Sequence, residues 1–294
     1  MYQRILVAID FSEPSIEAAR WAVSRFPSAE ITLFHALDPG PPPKYLLRAF
    51  GERLDLAPER ELDARSNLEQ VAENLGVTAS LVIREGWPPA EARAAATEAE
   101  AELIVVGAHR KRVSPWDEPG ATAEGIVKAS EVPAMVWRPV QHHRDKTVLA
   151  ALDLREGSAP VAPTAARYAM YFKTRLLLLH VLPRTYQAYL RAVSTPAKAA
   201  ESLRAIEEAA RVAALGRVPE ELRAGLDLRA RVTRGRPITQ ILAAAEAEAA
   251  DLIVAGQSHA PDFPGPPLLG GVTGRLIRGA NCSVLCVPAE AEAA

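Results

Sequence analysis

Short apolar runs alternate with longer amphipathic stretches along this chain. Residues 4–9 read Arg-Ile-Leu-Val-Ala-Ile and end at Asp10. A short continuous apolar run of that kind predicts a strand covered on both faces, as in a parallel sheet. Ser12 is placed to cap a helix and Pro14 to sit in its first turn. Ile16, Ala19, Ala22, Val23 and Phe26 then share one face of a helix predicted over 15–26, which Pro27 ends. Further strands are predicted over 30–37, 77–84, 103–106 and 134–137. Helices are predicted over 45–75, with Gly51 and Pro58 as weak points, and over 90–101 and 121–130. The run Asp38-Pro39-Gly40-Pro41-Pro42-Pro43 fits neither a helix nor a sheet interior.

The pattern then repeats. Glu102-Leu103-Ile104-Val105-Val106-Gly107 returns 149 residues later as Asp251-Leu252-Ile253-Val254-Ala255-Gly256. Residues 147–152 form a strand pattern ending at Asp153, the counterpart of Asp10. His180-Val181 answers His35-Ala36, and Gly235-Arg236-Pro237 answers Gly86-Trp87-Pro88. The second half predicts strands over 147–152, 175–182, 226–233, 252–256 and 283–287. Its helices are predicted over 159–172, 186–215, 238–249 and 271–279. Residues 138–146, with Pro139 and the pair His142-His143, read as a solvated linker. Two domains follow, 1–140 and 146–290.

Strand-helix alternation predicts α/β architecture: two tandem open, mostly parallel five-stranded sheets with helices on both faces, Rossmann-like. In such sheets ligands sit beyond the carboxyl ends of the strands, at the topological switch point. Asp10, Ala36 and Gly107 fall at strand carboxyl ends in the first half. Asp153, Val181 and Gly256 do so in the second. After Gly107 a polar loop runs to Gly120, which opens the next helix; after Gly256 a second loop runs to Gly270-Gly271. A helix N-terminus after a glycine-bounded loop can hold an anion, and the same glycines also serve tight turns.

Composition narrows the classes. The chain has 294 residues, 49% of them hydrophobic, enough for two cores. Its net charge of −2 gives no electrostatic footprint for nucleic acid. No stretch reaches the roughly 18 apolar residues of a membrane span. The chain enters its first strand without a charged leader or cleavage site, which predicts the cytoplasm. Cys282 and Cys286 stand four apart in a strand pattern, too far to bridge each other, and read as small buried hydrophobes. There is no P-loop and no nucleophile elbow. His35 and His180 end apolar strands, where hydrogen bonding to backbone is a better role for them than proton abstraction.

These stretches together resemble the universal stress protein family, as two domains of the UspA type in tandem, with the adenine nucleotide alpha-hydrolase-like fold. The residues that carry the resemblance are Val7-Ala8-Ile9-Asp10-Phe11-Ser12-Glu13, Phe34-His35-Ala36, Leu179-His180-Val181, the acidic residue before each Leu-Ile-Val run, and Cys282-Ser283-Val284-Leu285-Cys286-Val287. The resemblance covers nearly the whole chain. It implies short fifth strands that pair in a dimer, here within one chain as an intramolecular pseudo-dimer, with a further homodimer of chains compatible with it. Unshielded apolar edges are a liability that such pairing removes.

The resemblance also implies a site. ATP-binding members look like G-x2-G-x9-G-[ST] after the fourth strand, with glycine N–H groups and the hydroxyl on phosphates. The aspartate after strand one and main chain near the end of strand two hold the adenosine. Here the first half offers Gly107, Arg110 in place of glycine, Gly120, and Ala121 in place of the hydroxyl. The second offers Gly256, His259 in place of glycine, Gly270 one residue late, and Gly271 without a hydroxyl. Thr122 and Thr273 stand close enough to supply replacement hydroxyls. Arg110 suits a phosphate, and His259 does when protonated. The implied ligand is ATP or a related adenine nucleotide, with Mg²⁺ only alongside it. Three functions follow: a non-enzymatic stress protein that binds nucleotide and signals to an unknown protein partner, a nucleotide-free scaffold in which Asp10 and Asp153 only brace their turns, and, with least support, a slow ATPase.

Overall fold

The computed structural model describes residues 1–38, 57–108, 121–139, 147–155, 158–257 and 271–289. Contacts divide the chain into two units, Tyr2–Trp137 and Arg138–Ala294, with Met1 grouped with the latter.

The first unit runs β1 (Arg4–Ala8), α1 (Glu13–Arg25), β2 (Glu30–Leu37), α2 (Ala57–Leu75), β3 (Ala79–Glu85), α3 (Pro88–Glu98), β4 (Leu103–Gly107), α4 (Ala121–Ala129) and β5 (Ala134–Trp137). Its described strands lie in the order β3-β2-β1-β4-β5, every pair parallel. The order reverses between β1 and β4, and that is the switch point. Both strands are buried along their centres: Leu6, Val7, Leu103 and Val105 are fully covered. Continuous apolar sequence is what such double coverage demands. β3 lies at the edge of this order and its residues are only half-covered.

Helix α1 starts where Ser12 accepts a bond from the Ser15 N–H, with a proline in the first turn. Its buried face is built of Ser15, Ala18, Ala19 and Ala22, small residues that let it lie close to the sheet. Helix α2 ends at Gly76, whose φ of +67° is the left-handed conformation a glycine stop requires. The Val77 N–H then bonds back to the Ala72 carbonyl at 3.2 Å. That cap uses residue 77, so β3 begins at Ala79 and not at 77.

The second unit runs β6 (Thr147–Leu152), α5 (Val161–Phe172), β7 (Arg175–Leu182), α6 (Arg184–Val193), α7 (Pro196–Gly216), α8 (Glu220–Arg223), β8 (Leu228–Arg234), α9 (Pro237–Ala247), β9 (Leu252–Gly256), α10 (Thr273–Gly279) and β10 (Ser283–Val287). Its described strands lie in the order β10-β9-β6-β7-β8, again all parallel. The fold class expected from the alternation is therefore present twice.

The single helix expected over 186–215 is two helices. Ser194 and Thr195 are extended, with ψ of 167° and 153°. The cause is Pro196, which disfavours a helical Thr195 and has no N–H to continue α6. Thr195 instead caps α7, accepting from the Lys198 N–H. The short helix α8 was not legible in the sequence pattern.

Candidate functional site

The first crevice opens where β1 ends. Asp10 leaves the strand exposed to solvent, and its Oδ1 accepts the Ser12 N–H at 3.0 Å and the Ser12 hydroxyl. Such an aspartate turn competes with strand continuation and redirects the chain into α1. Between them Phe11 has φ of +61°, a conformation costing a non-glycine residue roughly 1–2 kcal/mol. The surroundings hold it there: the Phe11 ring lies 4.6 Å from the imidazole of His35. His35 Nδ1 is 2.7 Å from the Ile9 carbonyl. A carbonyl only accepts, so Nδ1 carries the hydrogen, and the other ring nitrogen is the acceptor in the neutral ring.

The second crevice copies this arrangement. Asp153 is exposed and its Oδ1 accepts the Arg155 N–H at 3.0 Å and the Ser158 hydroxyl. Leu154 takes φ of +62°. His180 Nδ1 lies 2.8 Å from the Leu152 carbonyl. One contact has no match among the described residues of the first crevice: Arg217, just past α7, donates from Nη2 to the Leu154 carbonyl at 2.9 Å. The strained residue after each aspartate and the histidine bond behind it were not predicted as a unit. Repeated strain at matching positions is the kind of feature that collects at functional sites. The recurrence of Asp10 as Asp153 and of His35 as His180 was the signal for it in the sequence.

Ala36 and Val181 stand near the carboxyl ends of β2 and β7, close to these turns. Gly107 ends β4 and is buried. A Cβ on Gly107 would meet the Pro14 carbonyl carbon and oxygen at 2.5 Å and the Ser15 nitrogen at 2.7 Å. Packing against the start of α1 is thus reason enough for glycine there. Gly256 is looser, because a Cβ would sit 3.4 Å from Val161 Cγ2, an ordinary contact. Thr122 lies exposed in the first turn of α4. Gly271 is exposed just before α10, and Thr273 is buried with its hydroxyl donating to the Gly256 carbonyl at 2.8 Å. Arg110, Gly120, His259 and Gly270 lie outside the described residues.

The structure therefore brings Asp10, Ala36 and Gly107 to one end of the first sheet, and Asp153, Val181 and Gly256 to the same end of the second. Cys282 and Cys286 are buried free thiols. Burial pushes them up, Cys282 to about 11 and Cys286 to about 12. Among the described residues no helix is long and apolar enough to cross a membrane.

Comparison with known proteins agrees with this geometry. The model of the universal stress protein family matches residues 1–138 and again residues 145–288. A universal stress protein of Methanocaldococcus jannaschii is 27% identical over 139 residues, which is 46% of this chain and 82% of that protein. A universal stress protein structure from Archaeoglobus fulgidus superposes with a TM-score of 0.66 at 19% identity, covering 97% of this chain and 98% of that one. A putative universal stress protein from Pseudomonas aeruginosa gives a TM-score of 0.62 at 16% identity, covering 98% and 94%. At these identities the two structures speak for the fold alone, and the family rests on the double match of its model. With one match in each half, the chain belongs to the universal stress protein family.

Proposed function

We propose that the chain is a non-enzymatic, cytoplasmic stress protein that binds ATP or a related adenine nucleotide in at least one crevice. A protein partner would distinguish its loaded from its empty form. The observation that carries this reading is the repeated strand-end constellation: an exposed aspartate, the main chain of the next strand's end, and a glycine beside a helix start. An aspartate at that place is suited to the ribose hydroxyls, and strand-end main chain to a base. The phosphates would fall to the loop side, where Arg110, Gly120 and Thr122 in the first half and His259, Gly270 and Gly271 in the second are the proposed ligands. Mg²⁺ would enter only with the nucleotide.

A second reading has its own support. Asp10 and Asp153 both spend Oδ1 on their own turns, as a scaffold with inactive crevices would require. One experiment separates the two: mass spectrometry of the small molecules released when the purified protein is denatured, beside a melting scan with ATP and Mg²⁺. Adenine nucleotide recovered in near-stoichiometric amount, with a rise in melting temperature, supports the nucleotide reading. No nucleotide and no shift at saturating ATP leaves the scaffold.

A further inference from the structure

We propose that the two crevices have diverged: the first binds the ligand and reads the edge of a purine base with the main chain of Ala36, while the second is closed by its own hydrogen bonds. This rests on the nucleotide reading above and assigns it to one half.

The argument starts from strand parity. Successive residues of a strand turn their main-chain groups to opposite neighbours. The Phe34 carbonyl accepts the Ile9 N–H at 2.8 Å, so Phe34 faces β1. The Leu37 carbonyl accepts the Gly86 N–H at 3.1 Å, so Leu37 faces β3. Ala36, between them in parity, therefore faces the β1 side. The β1–β2 ladder ends at Ala8↔Phe34, two residues earlier. The next carbonyl along, that of Ile9, is taken by His35 Nδ1. Ala36 thus turns an N–H and a C=O into the space β1 has left, and neither meets a partner among the described residues.

The second unit closes that gap. The Leu182 carbonyl accepts the Gly235 N–H at 3.0 Å, so Val181 faces β6. Here the ladder runs one rung further, to Leu152↔His180. In a parallel ladder that rung joins Leu152 to the main chain on either side of His180, and so engages the Val181 N–H. The Leu152 carbonyl is shared between that rung and His180 Nδ1.

Two further differences run the same way. Thr122 is exposed at the start of α4, whereas Val272 at the matching place has no hydroxyl, and Thr273, which matches Ala123, is buried and bonded to the Gly256 carbonyl. The turn after Asp153 is strapped by Arg217 through the Leu154 carbonyl. A donor and an acceptor side by side match an adenine edge with its amino group beside a ring nitrogen. Val181 keeps only its carbonyl for such an edge.

The test uses the full chain and ATP. Calorimetry should give one equivalent of ATP per chain. In the free protein the Ala36 amide should exchange with solvent rapidly and the Val181 amide slowly, and ATP should protect Ala36. The triphosphate of purine riboside, which lacks the amino donor, should bind about tenfold or more weaker, as loss of one hydrogen bond implies. Thr122→Val should weaken ATP roughly ten- to a hundredfold at unchanged melting temperature, whereas Thr273→Val should lower the melting temperature and leave the affinity alone. Two equivalents of ATP, one equivalent that protects Val181 and not Ala36, or equal protection of the two amides in the free protein would overturn the assignment. Absence of any binding would sink the nucleotide reading itself and this assignment with it.

Discussion

Replacing Gly107 with alanine should cost far more stability than the same change at Gly256, although both glycines end the fourth strand of their unit. At Gly107 the added Cβ would lie 2.5 Å from the carbonyl carbon and oxygen of Pro14 and 2.7 Å from the Ser15 nitrogen. Those are backbone atoms at the start of α1, held by the Ser12 cap, so no side chain can swing aside. The helix has to move, or β4 does, and both are buried. Overpacking of this kind costs about 1–3 kcal/mol, and a backbone clash belongs at the upper end. For a unit near 150 residues that lowers the melting temperature by roughly 4–10 °C. At Gly256 the Cβ would lie 3.4 Å from Val161 Cγ2, and alanine narrows the unfolded ensemble. The net change there should stay within about 1 kcal/mol. Thermal melting of the two full-length variants, with hydrogen exchange of the β1 and β4 peptides to locate the damage, makes the comparison. Equal melting temperatures, or a larger loss at Gly256, would refute the steric account of Gly107.

Four shorter predictions accompany it. Both Cys282 and Cys286 should resist thiol reagents at pH 8 until the protein unfolds, because burial holds them as thiols with values raised to about 11 and about 12. The unfolded thiols ionise first, so stability should be level below about pH 9 and then fall as pH rises toward 12, by up to about 1.4 kcal/mol per pH unit for each thiol; urea midpoints that hold steady from pH 9 to 11 would contradict this. Nitrogen-15 spectra should place the ring hydrogen on Nδ1 in both His35 and His180, since each Nδ1 faces a carbonyl, and His35→Leu should cost about 0.5–1.5 kcal/mol in urea melts while His35→Asn retains much of that. Thr195→Ala should destabilise the second unit by about 0.5–2 kcal/mol through loss of the α7 cap, read as a lower urea midpoint.

Most of the fold was legible because it is written in short apolar runs. The strands over 30–37, 134–137, 147–152, 175–182 and 283–287 match their observed bounds, since a strand buried on both faces cannot hide its composition. The helices were harder at their ends. Residues 186–215 read as one amphipathic stretch because apolar periodicity continues across Pro196, and only the lost N–H at that proline divides it. Val77 and the residues before Leu228 are apolar enough for strand, yet Val77 is held by the cap of α2. Periodicity reports which face is buried and says little about which backbone bond ends an element.

The strand-end residues of the candidate crevices were legible as a list, and the difference between halves was not. Aspartate, histidine and glycine recur at matching places, so the sequence points to two equivalent crevices. What separates them most is a rung of hydrogen bonding at Leu152↔His180. That rung leaves no mark in residue type, since Ile9 and Leu152 are both aliphatic. The glycine motif is ambiguous for a further reason. Gly107 is required by the approach of α1 whether or not a phosphate ever binds, so its presence is weak testimony for nucleotide, while Gly256, which packing does not demand, sits in the crevice where its own carbonyl and the Val181 N–H are already engaged. Motif counting therefore weighs the two halves alike, and main-chain satisfaction weighs them apart. If binding proves confined to the first half, open backbone groups will have been the better guide to function in this chain than the glycines.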